Sequence, residues 1–207
     1  MPDIITPIIE LLDTVPAWLR NLIAGLAIML ETAIFAGLIV PGDTVVLVSS
    51  TQVQDWGDFA FLLLAVLTGS LIGETIGYSI GRWFGPRLKT TRLGRRIGAD
   101  NWQRAEELVE KRGGIAVFIS RFLPVLHSVV PAVAGVVGMR YRTFISYTFF
   151  ACLIWASMYV GVGYLARASF DNLSGDLRIA SLVGVGILVV FLIVVAFSKK
   201  LLDRLAK

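Results

Sequence analysis

Apolar residues run through this chain in long blocks, and the blocks differ in how they are broken. Three are continuous. Residues 59–81 hold one charge, Glu74, while 144–165 and 179–197 hold none. At 1.5 Å per helical residue each crosses a hydrocarbon core of about 30 Å. Membrane spans are therefore expected over 59–81, 144–165 and 179–198. Two further blocks are interrupted: 22–50 by Glu31 and then Pro41-Gly42-Asp43, and 115–139 by Arg121, Pro124, His127 and Pro131. Roughly ten residues remain between breaks, which reach about 15 Å, half the hydrocarbon thickness. The pattern predicts two re-entrant hairpins, over 22–54 and 115–139, with Pro41, Gly42, Pro124 and Pro131 as breaking residues. Irregular backbone at that depth must be covered by protein or line a water cavity. Ile4, Ile8, Leu11 and Leu12 fall on one stripe among Asp3, Glu10 and Asp13, which predicts an interfacial helix within 1–20.

The expected fold is all-α, a single polytopic membrane domain over 1–207 with two facing hairpins and about three full spans. Composition agrees: 56% of the 207 residues are hydrophobic and 16% charged, too little polar surface for a water-soluble fold of this size. The N-terminus carries acids before any base, the reverse of a cleavable signal. Charge sets the orientation. Residues 82–112 hold nine bases against four acids, so 82–114 should be cytoplasmic. Arg140, Arg142 and the basic C-terminal tail fall on the same side, and 51–58 and 166–178 on the other. The first hairpin then enters from outside and the second from inside, and the two meet near the midplane. Broken helices of inverted repeats meeting at a midplane site are a recurrent transporter design. The net charge of +4 sits at membrane flanks, so no nucleic-acid partner is expected.

Ionisable groups at membrane depth are costly and tend to be functional. Glu31 and Asp43 in the first hairpin, with Glu74 in the span, are candidates for proton coupling or gating. Asp43 after Pro-Gly also suits a helix cap. Arg121 in the second hairpin offers a planar fork of donors suited to phosphate, and His127, the one histidine, titrates near neutral pH. The row Gly69, Gly73, Gly77, Gly81 permits close helix contact, within one chain or in a homodimer. The single cysteine, Cys152, is read as a small core residue and excludes a cysteine-built zinc site; no metal and no cofactor are expected. Ser120-Arg121-x5-His127 matches the start of a lipid-phosphatase signature. However, Pro131 stands at the aspartate position and there is no second histidine, so enzymatic activity is not expected.

Three stretches together resemble the DedA family of the wider SNARE-associated/VTT-domain group. Glu31 with Gly37-Leu-Ile-Val-Pro41-Gly42-Asp43 is similar to its Glu…Pro-Gly-Glu/Asp hairpin. Gly77-Tyr78-Ser-Ile-Gly81-Arg82-x2-Gly85 is similar to its Gly-Tyr-x2-Gly-Arg-x2-Gly element. Arg121-Phe122-x-Pro124-x2-His127-x3-Pro131-x2-Ala134-Gly135-x3-Met139 is similar to its second hairpin. The resemblance implies a multi-pass cell-membrane protein that moves lipid across the bilayer. The lipid implied is undecaprenyl (polyprenyl) phosphate in a proton-coupled flippase, or a phosphatidylethanolamine-type phospholipid. It maps the family's membrane acids to Glu31 and Asp43 and its first essential arginine to Arg121. Its second arginine position is His127 here. Arg82 joins Arg121 and His127 as a phosphate-binding candidate. Moving a phosphate through hydrocarbon is costly for the anion, and an arginine at a hairpin tip offsets that cost. The expected mechanism has the hairpin acids holding Arg121 until they are protonated. A passive scramblase, and a scaffold for envelope enzymes, are the alternatives.

Overall fold

A computed structural model describes residues 15–33, 42–123 and 126–172. The expected interfacial helix over 3–14, Pro41, Pro124, the third span over 179–198 and the basic tail lie outside the described residues. Every regular element among the described residues is helical: α1 (Ala17–Ala33), α2 (Gly42–Ser50), α3 (Trp56–Phe84), a 3₁₀ turn (Gly85–Thr90), α4 (Arg92–Ile97), α5 (Ala99–Arg112), α6 (Gly114–Ser120), α7 (Leu126–Val136) and α8 (Tyr141–Asn172).

Helices α3 and α8 form the frame and contain the first two expected spans. The 29 residues of α3 reach about 44 Å, and Trp56–Phe84 and Tyr141–Leu165 are both long and apolar enough to cross a membrane. Asp55 starts α3 by accepting the backbone N–H of Asp58, and Gly85 ends it at φ +55°. The two run antiparallel. At one end Tyr78 stacks on Phe144 with ring centroids 4.8 Å apart and donates to the Met139 carbonyl over 2.6 Å. At the other, Trp56 and Phe59 meet Tyr164.

The helix expected from residue 22 begins five residues earlier, at Ala17. α1 runs parallel to α3, from Arg20 beside Asp58 to Thr32 beside Gly73. α2 then returns along α1, its Gly42 against Ala27 and Glu31. Just past its end, the Gln52 carbonyl accepts from Arg20 Nη1 over 2.9 Å. The α1–α2 pair thus starts and finishes at the N-terminal end of α3. The α6–α7 pair works from the other end: α6 begins with Gly114 on the Tyr147 ring, and α7 finishes with Gly135 against the Tyr78 carbonyl. Pro131, expected to break the hairpin, instead lies inside α7. The turn precedes it, and the ring faces Gly77 of α3 while the helix continues past the one lost N–H.

The glycine row is the seam of this arrangement. A side chain at Gly69 or Gly73 would run into α1 at Gly25, Met29 and Thr32, and one at Gly81 would run into the Ala132 backbone of α7. The row is used within the chain. The basic segment is itself folded: α5 buries Trp102, Ala105, Leu108 and Val109, and the Trp102 indole donates to Gly94 O over 2.9 Å.

Burial is inverted relative to a water-soluble protein. Trp18, Leu22, Ile23, Leu26, Leu64, Phe150 and Ile154 are exposed, while Arg20, Glu31, Ser70, Glu74, Arg121 and Thr148 are buried. Apolar surface outside and charge inside is the pattern expected when lipid is the solvent.

Candidate functional site

The two broken pairs meet at a cluster of charged side chains. Glu31, two residues before the end of α1, is 4% exposed. Its Oε2 accepts the backbone N–H of Asp43 over 2.9 Å. A carboxylate of one helix therefore caps the next, at the end where free N–H groups and the helix dipole favour negative charge. Gly42 makes the approach possible, since a Cβ there would lie 2.5 Å from Glu31 Oε2. Asp43, in the first turn of α2, is half-buried.

His127, in the first turn of α7, brings Nε2 to 3.3 Å from Glu31 Oε1. Its Nδ1 lies 3.2 Å from the Leu123 carbonyl. One ligand atom each from Glu31, Asp43 and His127 falls within 4.8 Å of the others. Where no metal site was expected, this is a group of side chains able to hold a metal ion.

Arg121 follows the last turn of α6 and points across to α3. Nη1 donates to Glu74 Oε1 over 3.1 Å and Nη2 to Ser70 Oγ over 3.2 Å. Both ends of the Arg121–Glu74 pair are buried. Ser70 and Glu74 stand four residues apart, on one helix face. Cys152 of α8, read as core, is buried as expected and donates its thiol to the same Glu74 oxygen over 3.4 Å. The guanidinium carbon lies 4.2 Å from the centre of the Trp155 ring, a cation–π geometry. Nε of Arg121 is buried and has no hydrogen-bond partner.

The arrangement differs from the expected one in its pairing. The first-hairpin acids were expected to hold Arg121. Instead Glu74, on the continuous helix, holds it, and Glu31 faces His127. Arg82 stands apart: it is exposed, two turns or about 12 Å beyond Glu74 along α3, with its guanidinium near Gly138. Ser70 and Trp155 were not singled out in the sequence. The serine's position one turn before Glu74 was the available signal.

A second charged group closes the opposite end. Arg20 and Asp58 form a buried pair, and Asn21 donates to Asp58 Oδ1 over 2.8 Å. It ties the starts of α1 and α3 to the 51–55 connection.

The VTT-domain family model matches residues 33–165. That stretch includes Asp43, Glu74, Arg121 and His127 and begins two residues after Glu31. The chain is 27% identical over 143 residues to Protein DedA of Escherichia coli (strain K12), covering 67% of this chain and 65% of that protein. It is 27% identical over 139 residues to the inner membrane protein YghB of the same strain, covering 66% and 63%. It is 31% identical over 147 residues to the alkaline phosphatase-like protein of Lactococcus lactis subsp. cremoris, covering 67% and 69%. The chain thus spans just under two thirds of the length of Protein DedA. No solved structure matches it.

Proposed function

This chain belongs to the VTT-domain family of membrane proteins, to which DedA also belongs, and from that premise we propose that it carries a phosphate-bearing lipid across the membrane. The observation that carries the reading is Arg121. It is buried where the two broken helix pairs meet, is held by one carboxylate, and has an Nε without a partner. Arginine stays charged and matches phosphate oxygens with two parallel donors. No other described side chain at the junction is a permanent cation.

In this reading α1–α2 and α6–α7 are re-entrant hairpins, and their short helices support it. α2 has nine residues, α6 seven and α7 eleven, too few to cross about 30 Å. The pairs approach from opposite ends of α3, so each dips into the bilayer from its own side. The folded basic segment 82–114 faces the cytoplasm, and the protein sits in the cytoplasmic membrane.

The substrate class is a polyprenyl phosphate. With no lipid bound, Glu74 and Ser70 occupy two of the arginine's donors. A proton taken up by Glu74 removes the competing charge and frees the fork for the phosphate. Deprotonation returns Arg121 to Glu74 and expels the anion. The coupling ion is the proton, and no bond in the lipid is made or broken. The name of the Lactococcus relatives raises phosphoryl transfer, but a phosphohistidine route also needs an orienting aspartate and a second histidine as general acid. Pro131 stands at the first position and His127 is the one histidine of the chain.

The test uses purified full-length protein in liposomes carrying polyprenyl phosphate in both leaflets. A soluble phosphatase added outside consumes only outward-facing lipid. Consumption beyond the outer-leaflet fraction, with no phosphate released before the phosphatase is added, is the expected result. Exchange of phosphatidylethanolamine instead would indicate a phospholipid scramblase. No exchange of either would leave a scaffold for envelope enzymes, and phosphate release by the protein alone would indicate an enzyme.

A further inference from the structure

We infer that Glu31, Asp43 and His127 form a binding site for a divalent first-row transition metal, of the zinc or cobalt kind, that joins the two helix pairs. Only its consequence rests on the proposed lipid transport, for which we take the pairs α1–α2 and α6–α7 to part as the lipid passes. The site itself stands on geometry.

The first observation is the histidine's orientation. Nδ1 faces the Leu123 carbonyl, which can only accept, so Nδ1 carries the proton. In a neutral imidazole Nε2 then presents a lone pair, and it points at a carboxylate oxygen, Glu31 Oε1, 3.3 Å away. Two acceptors facing each other at that distance are reconciled either by a proton on Nε2, which makes the pair ionic, or by a metal ion between them. A ring N–H held by a backbone carbonyl, with the other nitrogen turned inward, is how metal-binding histidines are fixed. The spacing agrees. Ligand atoms about 2.0–2.1 Å from a tetrahedral ion stand roughly 3.3 Å apart.

The second observation is charge. Around the junction Glu31, Asp43 and Glu74 face Arg121, and the arginine is engaged by Glu74. Two carboxylates are left opposite an uncharged ring. A proton on the ring offsets one of them; a divalent cation offsets both. Asp43 has a ligand atom within 4.8 Å of those of Glu31 and His127 and supplies the third ligand. One nitrogen and two oxygen ligands favour zinc, cobalt or manganese over magnesium and calcium, which prefer oxygen alone. Three protein ligands leave a coordination position for water.

Glu31 lies on α1, Asp43 on α2 and His127 on α7. One ion therefore ties the first helix pair to the second. The consequence is arrest: with metal bound, the pairs cannot part to pass a lipid.

The decisive experiment is a Co²⁺ titration of the metal-free full-length protein, purified in detergent without a histidine tag. Visible absorption and thermal stability are followed. The expected result is saturation at one ion per chain, with cobalt bands in the visible and a raised melting temperature. Affinity should fall by more than about a hundredfold in Glu31→Gln and His127→Ala, beyond the roughly 10–100-fold that loss of a supporting partner gives. His127→Arg places a permanent cation opposite Glu31, where it offsets the carboxylate without a metal. It should melt near the metal-free wild type and bind no cobalt, which separates loss of the site from loss of the fold. No saturable one-to-one binding, or binding that survives in His127→Arg, overturns the site. Neither result bears on lipid movement. In liposomes that do move lipid, cobalt should slow the exchange and a chelator restore it; bound cobalt without slowing overturns the arrest alone.

Discussion

Arg121 donates to Glu74 over 3.1 Å across 47 positions of sequence, with both side chains buried. That contact links the turn of the second helix pair to the middle of a membrane span. It also sets the cost of disturbing either residue. Removing one partner of a buried pair leaves the other charge uncompensated, at about 3–5 kcal/mol. Arg121→Met or Glu74→Met alone should lower the melting temperature in detergent strongly. The double variant should melt above both singles, because it leaves no orphaned charge. A double variant that loses the sum of the two would show that the residues act independently.

The glycine seam gives a second prediction. At Gly81 a Cβ would overlap the Ala132 backbone, and at Gly135 the Tyr78 carbonyl. Neither neighbour is a flexible side-chain end. Gly81→Leu and Gly135→Leu should each destabilise by at least about 1–3 kcal/mol and reduce the yield of monodisperse protein. Gly161→Ala, on α8, meets nothing within 4 Å and should behave as wild type in size-exclusion chromatography. Equal behaviour of all three would mean that α3 and α7 are not in backbone contact.

At the far end, Arg20 is engaged by Asp58, Asn21 and the Gln52 carbonyl. Arg20→Ala should cost stability of the same order as other broken buried pairs, about 3–5 kcal/mol. It should also loosen the 51–55 connection. Faster proteolysis or hydrogen exchange over 51–58 is the expected readout, and unchanged protection there would contradict it.

Sidedness can be read by chemistry. Single cysteines at Gln54 and Arg104, both exposed, should react with a membrane-impermeant maleimide from opposite sides, Gln54 from outside. The background is Cys152→Ser, which keeps a donor toward Glu74. Labelling of both from one side would contradict the arrangement of α3 as a span.

Much of this was legible in the sequence, for definite reasons. Long uncharged runs need no tertiary information to be read as spans, and the interruptions at Glu31, Asp43, Arg121 and His127 mark groups that membrane depth makes costly. Pairing was less legible. Arg121 was expected to meet the first hairpin's acids, since both sit beside helix breaks, but Glu74 and Ser70 share a helix face that reaches it first. Spacing within a helix is local; which helix lies opposite depends on packing. Pro131 misled because a proline ends a helix only where its lost N–H and its ring cannot be accommodated. Arg20 and Asp58 carried no signal, being single charges in segments read as the end of an interfacial helix and an outward-facing connection. The helices of the basic segment were hidden by its charge density, and the Trp102, Ala105, Leu108 and Val109 pattern is visible only once the arginines are set aside.

The central claim is that Arg121 receives the lipid phosphate when Glu74 lets it go. The most direct measurement is polyprenyl-phosphate exchange in liposomes by wild type, Arg121→Ala, Arg121→Lys and Glu74→Gln, with each variant's folding checked by thermal melting. The account predicts exchange by wild type, none by folded Arg121→Ala, and a weak residue with Arg121→Lys, which keeps charge but loses the fork. Glu74→Gln, fixed in the neutral form, should exchange lipid without dependence on a pH gradient. Wild-type exchange by folded Arg121→Ala would contradict the account.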